Sequence, residues 1–390
     1  MNPLDWIADE LRQLDAQHLR RHPTVRRGPQ ANQIELDGRS YLNFGSNDYL
    51  GLAADPLIRT AVTETVQAQG WGSGGSALIT GRSLQQQQLE QQLAQFECTE
   101  AALVFPTGYA ANLGTLTSLA GRGDLIFSDA LNHASLIDGC RLSRGEVRVY
   151  PHADIDYLRS ELKGVNAERR TLIVTDSLFS MDGDFAPLAQ LIELCDEFHA
   201  ILVVDEAHAT GVLGKQGRGV CELLGVEDSV PVRIGTFSKA IGSLGGFVVG
   251  SKNLIEWLFN RARTQVFSTA LPASACQASA TALQIVQNEP QRRARLQRHA
   301  HELRSHLLAE GWDISDSESH IIPIVIGSSE QTLSAARQLR DGGLLVPAIR
   351  PPTVPINASR LRISLTSDHT TENLQTLTKA LAPVKSALRD

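Results

Sequence analysis

Between residues 101 and 250 the chain repeats a pattern that leaves few folds open. Short apolar runs (AALVF, DLIFS, VRVYP, TLIVTDS, AILVVDE, VRIGTFS, GGFVVGS) alternate with segments of helical periodicity. Runs that are apolar nearly throughout belong to strands covered on both faces. Strands alternating with helices build a mostly parallel sheet with helices packed against it. Residues 187–199 illustrate an intervening helix. Pro187 opens it, Leu188, Leu191, Ile192 and Cys195 share one side, and it leads directly into AILVV. In such sheets ligands bind beyond the carboxyl ends of the strands. The residues just after the apolar runs are therefore the ones to read for chemistry.

The flanking segments follow other patterns. Leu4, Ile7, Leu11 and Leu14 fall at helical spacing and predict a helix to about residue 22, stopped by Pro23. Residues 34–44 read as a hairpin turning at Asp37-Gly38. The glutamine-rich stretch 83–97 places Leu84, Leu89, Leu93 and Phe96 on one helix face. From about residue 285 a charged helix runs to Gly311. A strand (HIIPIVIG), a helix, two further strands (LLVPAIR and RLRISL) and a last helix follow it. The expected organisation is a helix-and-hairpin segment over 1–45, a large α/β domain over 46–285 and a smaller C-terminal α/β domain over 286–390.

Charge and cysteine usage exclude several function classes. Lys and Arg number 36 against 43 Asp and Glu, a formal net charge of −7, whereas a nucleic-acid surface needs a basic field. Cys98, Cys140, Cys195, Cys221 and Cys276 form no C-x-x-C pair, so neither a metal knuckle nor a disulfide framework is indicated. The acidic start MNPLDWIADELRQLDAQ lacks the basic and apolar regions of a signal peptide. No stretch approaches the roughly 18 apolar residues of a membrane span. A cytoplasmic protein that binds neither nucleic acid nor membrane is expected.

The strand ends carry the candidate chemistry. AILVV ends in DEAH (205–208), which also opens the acidic box of some nucleotide hydrolases. That chemistry needs an upstream G-x-x-x-x-G-K-[ST] loop. The chain has none, and its one Gly-Lys pair, Gly214-Lys215, is followed by Gln216. A second reading joins Asp205 to Lys239, which follows the next apolar run. A pyridoxal phosphate enzyme needs such a pair. The lysine holds the aldehyde as a Schiff base, and the carboxylate keeps the pyridine nitrogen protonated so that the ring accepts an electron pair. His208 stands within reach of the ring's phenolic oxygen. Gly108 and Tyr109 begin a helix over 109–119 whose N-terminus suits a phosphate, and Thr236 and Ser238 flank Lys239 with hydroxyls. Taken alone, Asp205 equally suits a helix N-cap and Lys239 a surface charge.

With these residues assembled, the chain resembles the α-oxoamine synthase family of fold-type-I pyridoxal phosphate enzymes. The resemblance runs from SNDYLGLA (46–53) to RLRISLT (360–366). It passes through GSGGS (72–76), GYAAN (108–112), HASLIDG (133–139), FSMDGD (179–184), VDEAHATGVLGKQGRG (204–219) and TFSKAIGSLGG (236–246). Ala77 departs from the larger or polar residue that several relatives carry there. The resemblance implies a large domain with a mostly parallel sheet, a smaller C-terminal domain and pyridoxal 5′-phosphate as cofactor. It implies that Lys239 holds the cofactor and moves protons at the amino-acid α carbon, and that Asp205 pairs with the pyridinium nitrogen. His133 stacks on the ring, and His208 and Ser180 contact its phenolic oxygen. Gly108, Tyr109, Thr236 and Ser238 hold the phosphate. Asn47 and Arg362 bind the amino-acid carboxylate, and Arg20 or Arg21, with Thr353, lies near the acyl substrate. The resemblance also implies a homodimer in which FSTALPA (267–273) reaches the partner's phosphate through Ser268 or Thr269. IRPPTVP (349–355) and LRRHP (19–23) favour the branch that condenses L-alanine with pimeloyl-CoA or pimeloyl-acyl carrier protein in biotin biosynthesis. The alternative within the family is a glycine C-acetyltransferase or another member.

Overall fold

The strand Val232–Thr236 returns through residues 237–245 to Gly246–Gly250, and the two strands pair antiparallel. A parallel neighbour would need a crossover of roughly a dozen residues or more. The short return holds Lys239 at its bend, where the Gly242 N–H donates to the Lys239 carbonyl at 2.8 Å. The structure is a computed structural model and describes residues 2–389.

The larger of two units covers residues 47–180 and 184–294. Its 7-stranded sheet has the spatial order Ala101–Phe105, Gly246–Gly250, Val232–Thr236, Ile201–Asp205, Thr171–Asp176, Leu125–Asp129, Glu146–Tyr150. Every neighbouring pair is parallel except the two that involve Gly246–Gly250. The expected mostly parallel α/β sheet is thus the one observed. Phe105, Ile126, Leu172, Val203, Ile234 and Val248 are fully or almost fully buried in one core cluster, as apolar runs covered on both faces require. Helix Gly108–Leu119 starts where Thr107 accepts the Ala110 N–H on its hydroxyl, a side-chain N-cap. A Cβ on Gly246 would sit 2.5 Å from the Gly108 Cα, so only glycine lets this helix start so close to the sheet. In helix Leu84–Phe96, Leu89, Leu93 and Phe96 are buried as expected. Leu84 instead stands 60% exposed in the first turn, and Gln86 and Glu90 take the inner positions. Glu90 is tolerated there because it accepts from the Val104 N–H and the Gln86 amide and pairs with Arg82.

The smaller unit covers residues 1–46, 181–183 and 295–390. Its hairpin Gln33–Leu36 and Arg39–Asn43 turns at Asp37 (φ 50°) and Gly38 (φ 81°), the doubly left-handed turn whose twist matches paired strands. The opening helix is Trp6–Ala16, several residues shorter than Pro23 predicts. His18 adopts φ 57°, and the Leu19 and His18 N–H groups bond back to the Leu14 and Asp15 carbonyls at 2.8 and 3.1 Å. This left-handed C-terminal lock closes the helix before proline is reached. The expected single strand LLVPAIR is two short ones. Leu344–Leu345 pairs parallel with Arg39–Asn43, and Ala348–Ile349 pairs antiparallel with Ser359–Ser364. Pro347 lies between them, without an N–H to continue a ladder.

Candidate active site

Asp205 closes its strand in register with Asp176 on the neighbouring parallel strand. Both side chains are buried at the carboxyl edge, where the topology predicts a ligand. The Asp205 carboxylate accepts from the Asn112 amide at 2.6 Å and from the Ala207 N–H at 2.8 Å. Asn112 comes from the first turns of helix Gly108–Leu119, and its amide also donates to the Ser135 hydroxyl at 2.8 Å. The Asp176 carboxylate accepts the His133 N–H at 2.7 Å. Burial, then the neighbouring Asp205 charge, hold the Asp176 carboxyl well above the usual carboxylate range. Both causes favour the neutral form of the Asp176 carboxyl.

His133 caps helix Ala134–Leu142, and its Nδ1 accepts the Ser135 N–H at 3.2 Å while contacting the Ser135 hydroxyl at 2.7 Å. A neutral ring so placed carries its proton on Nε2. Protein crowding lowers the His133 pKa, the Asp205 charge opposes this, and the Lys239 ammonium adds to the lowering. Lys239 acts on Asp176 as well. Lys239, Asp205, His133, Asp176 and Asn112 therefore form one electrostatic group built from four strand ends or strand-following loops and one helix.

His208 belongs to the same unit. Its Nδ1 lies 2.7 Å from the Tyr49 hydroxyl, which donates to the Asn47 side-chain oxygen at 3.1 Å. Tyr49 is fully buried, so Asn47 and His208 are joined through it. Ser180 is half-buried at the end of the loop that follows Thr171–Asp176. The other half of DEAH has a structural role. Glu206 accepts from the Ser177 hydroxyl at 2.6 Å and from the Val220 and Cys221 N–H groups at 3.0 and 2.8 Å. A carboxylate so fully committed to its own loops is not placed to serve a nucleotide-bound metal, which corrects the nucleotide-hydrolase alternative.

The residues expected to hold a phosphate gather at the start of helix Gly108–Leu119. Gly108 faces the Thr236 side chain: a Cβ on Gly108 would meet it at 3.1 Å. The Thr236 hydroxyl donates to the Gly245 carbonyl at 2.8 Å and accepts the Ser238 N–H at 3.2 Å, with the Ser238 hydroxyl 2.8 Å away. Thr236 thus braces the return loop, while Ser238 is exposed. Tyr109 is 43% exposed and its hydroxyl bonds to Asp138, so what it can offer a phosphate is its backbone N–H. The Asp138 hydrogen bond raises the Tyr109 pKa. Helix start, small residues, an oriented carboxylate and a lysine in one group suit the phosphate, ring nitrogen and aldehyde of pyridoxal phosphate.

Arg20, Arg21, Thr353 and Arg362 belong to the smaller unit. Arg362 is 5% exposed on strand Ser359–Ser364 and donates to the Ser364 hydroxyl at 2.8 Å. His320 in that unit is pushed down to about 3 by burial and then by the Arg362 and Arg304 charges, and so is neutral. Arg20 pairs with Asp15 at 2.5 Å, and Arg21 and Thr353 are exposed.

Tyr49, Asn112 and Asp176 were not among the sequence candidates. Each lies inside a stretch already singled out (SNDYLGLA, GYAAN, TLIVTDS), and a polar residue in an otherwise apolar strand end is the signal that marks Asp176.

The model of the aminotransferase class I and II family matches residues 39–381. An 8-amino-7-oxononanoate synthase of Burkholderia pseudomallei is 49% identical over 394 residues, covering 99% of this chain and 100% of its own. One from Anaeromyxobacter dehalogenans is 48% identical over 381 residues, covering 98% of this chain and 96% of its own. Among solved structures, a serine palmitoyltransferase from S. paucimobilis with bound PLP-myriocin aldimine superposes with a TM-score of 0.94 at 31% identity. It covers 99% of this chain and 98% of its own. An 8-amino-7-oxononanoate synthase from Francisella tularensis gives a TM-score of 0.78 at 28% identity, covering 90% of this chain and 98% of its own. The chain therefore belongs to the pyridoxal-phosphate-dependent class I and II aminotransferase family, among its 8-amino-7-oxononanoate synthases.

Proposed function

We propose that the chain condenses L-alanine with a pimeloyl thioester, releasing CO2 and the thiol carrier to give 8-amino-7-oxononanoate, a step of biotin biosynthesis. The observation that carries this reading is the buried, Asn112-held Asp205 in one electrostatic group with Lys239 and His133. Relatives of that name, nearly full-length matches, support the substrates.

When bound, pyridoxal phosphate supplies an electron sink for charge developing at the alanine α carbon. The protein's part is to hold, orient and move protons. Lys239 would anchor the cofactor and, as the free amine, would take the α proton on Nζ. The Asp205 carboxylate would face the ring nitrogen, with Asn112 and the Ala207 N–H fixing its direction. Burial and the Asp205 charge favour a neutral Asp176, which leaves the Asp205 charge unrivalled. His133 would cover the ring face, and His208, aligned by Tyr49, would meet the phenolic oxygen together with Ser180. The Gly108 and Tyr109 N–H groups hold the phosphate with Ser238 and Thr236. Asn47 and Arg362 orient the alanine carboxylate, and Arg20 or Arg21 with Thr353 receives the acyl chain.

This reading includes a homodimer, with Ser268 or Thr269 reaching the partner's phosphate, and a cytoplasmic location. No helix of the described residues is long and apolar enough to cross a membrane. Titrating the cofactor-loaded protein with alanine and with glycine, followed by visible absorption, tests the amino-acid assignment. Alanine perturbs the spectrum at the lower concentration if the reading holds. A preference for glycine redirects it to a glycine C-acetyltransferase.

A further inference from the structure

The start of helix Ala134–Leu142 carries a chain of hydrogen bonds whose directions are fixed by the chemistry of its members. Asn112, Ser135 and Asp205 are all buried, so bulk water does not compete for their polar atoms. A carboxylate oxygen accepts, so the Asn112 amide turns its Nδ2 end toward Asp205, at 2.6 Å. The opposite turn would set the Asn112 carbonyl oxygen against the carboxylate. The observed turn leaves that carbonyl oxygen buried with no hydrogen-bond partner, a cost that the two Nδ2 bonds outweigh. The second Nδ2 hydrogen goes to the Ser135 hydroxyl at 2.8 Å. The Ser135 oxygen thus accepts from Asn112 and has one hydrogen left to give, and His133 Nδ1 lies 2.7 Å away. The helix cap does not need this hydroxyl, because Nδ1 already accepts the Ser135 N–H at 3.2 Å.

We propose that Ser135 is a positioning residue for the reaction: its hydroxyl carries the direction imposed by Asp205, through Asn112, to the His133 ring. The inference rests on the proposed function, in which Asp205 would meet the edge of the cofactor ring at its nitrogen and His133 would cover its face. Moving the ring proton to Nδ1 would set an N–H against two donors, the Ser135 hydroxyl and N–H. Turning the ring over would replace Nδ1 by a carbon and lose both bonds. The ring is therefore held in one orientation and one tautomer, with Nε2 carrying the proton. His133 itself is exposed, and Ser135 makes the hydrogen bonds that its ring has among the described residues. The charges acting on the ring, Asp205 and Lys239, do so through space, and Asp176 takes only the His133 backbone N–H. Hydrogen bonds in series polarise one another, so Asn112 and Ser135 tie the group that covers the ring face to the group that meets its edge.

Nitrogen NMR of the full-length protein with isotopically labelled histidine, with and without pyridoxal phosphate, reads the ring directly. The His133 signals are assigned by their loss in His133→Asn. In the unsubstituted protein Nδ1 is expected to be an unprotonated acceptor and Nε2 to carry the proton. A protonated Nδ1 overturns the proposal whatever the variants do. Ser135→Ala removes one oxygen and keeps the N–H that caps the helix. Its Nδ1 signal is expected to shift toward that of an unbonded ring nitrogen, and kcat with alanine and pimeloyl-CoA to fall about tenfold while the cofactor is still held. Asn112→Ala is expected to shift the Nδ1 signal when Ser135 is present and to leave it unmoved in the Ser135→Ala protein. An unmoved Nδ1 signal in Ser135→Ala, an unchanged kcat, or an equal response to Asn112→Ala in both backgrounds overturns the proposal. The expected signal changes in a protein that forms no amino ketone from alanine and pimeloyl-CoA keep the hydrogen-bond relay and count against the proposed function. Normal turnover of that pair by Ser135→Ala keeps the function and removes the relay.

Discussion

Asn112 and Asp205 lie 93 residues apart in sequence, yet the Asn112 amide donates to the Asp205 carboxylate at 2.6 Å, both groups buried. A hydrogen bond to an ionised group contributes roughly 1.5–3 kcal/mol. On the proposed function it acts on the carboxylate that would keep the pyridine nitrogen protonated. Asn112→Ala is expected to lower kcat about 10- to 100-fold while the protein still binds cofactor covalently. Steady-state kinetics with the visible spectrum check this, and an unchanged kcat counts against the role of Asn112.

On the proposed function, Lys239→Ala removes both the cofactor's anchor and the base. Turnover is expected to vanish, and borohydride treatment should no longer fix the cofactor to the protein, as read by intact mass. In the unsubstituted protein, visible absorbance that survives borohydride and dialysis would argue against a lysine-bound cofactor.

Arg362→Lys keeps the charge and loses the planar fork that grips a carboxylate through two bonds. The expected outcome is an alanine KM raised about tenfold or more, with little change in the KM of the acyl donor. An unaltered alanine KM rejects the assignment of Arg362 to the carboxylate.

His152 provides a pH-dependent test of the frame behind the site. Its ring nitrogens lie 2.9 Å from an Asp129 oxygen and 2.8 Å from an Asp184 oxygen, and its ring packs edge-on against Phe179. Asp129 ends the strand before the His133 loop, and Asp184 closes the loop that carries Ser180. Burial alone would lower the His152 pKa, but the two carboxylate bonds overcome it and push it up to about 10. A folded-state value above the unfolded one of roughly 6.5 contributes stability in full below pH 6.5. That contribution fades as pH rises through about 10. His152→Gln, which cannot carry the charge, should cost about 3 kcal/mol or more in urea unfolding at pH 6. The difference should shrink above pH 10, and a pH-independent difference contradicts an imidazolium bridge.

Much of this was legible along the chain because it depends on local order. Lys239 and Asp205 each follow an apolar run, and in a parallel sheet the ends of such runs converge. The turn at Asp37-Gly38 follows from residues that tolerate left-handed backbone. What stayed hidden depends on partners distant in sequence. Tyr49 meets His208 across 159 residues, and Asp176 acquires its raised pKa from a neighbouring strand. The early end of the first helix hinges on His18 taking a conformation more usual for glycine, which its identity does not announce. The division of LLVPAIR between two sheets follows from Pro347 and from pairing partners on either side of it.

The central claim is tested most directly by mass spectrometry of the products formed by the cofactor-loaded protein with L-alanine and pimeloyl-CoA. The expected result is 8-amino-7-oxononanoate, with one CO2 and one free coenzyme A per turnover. Formation of no amino ketone from this pair, together with turnover of glycine and acetyl-CoA, would contradict it.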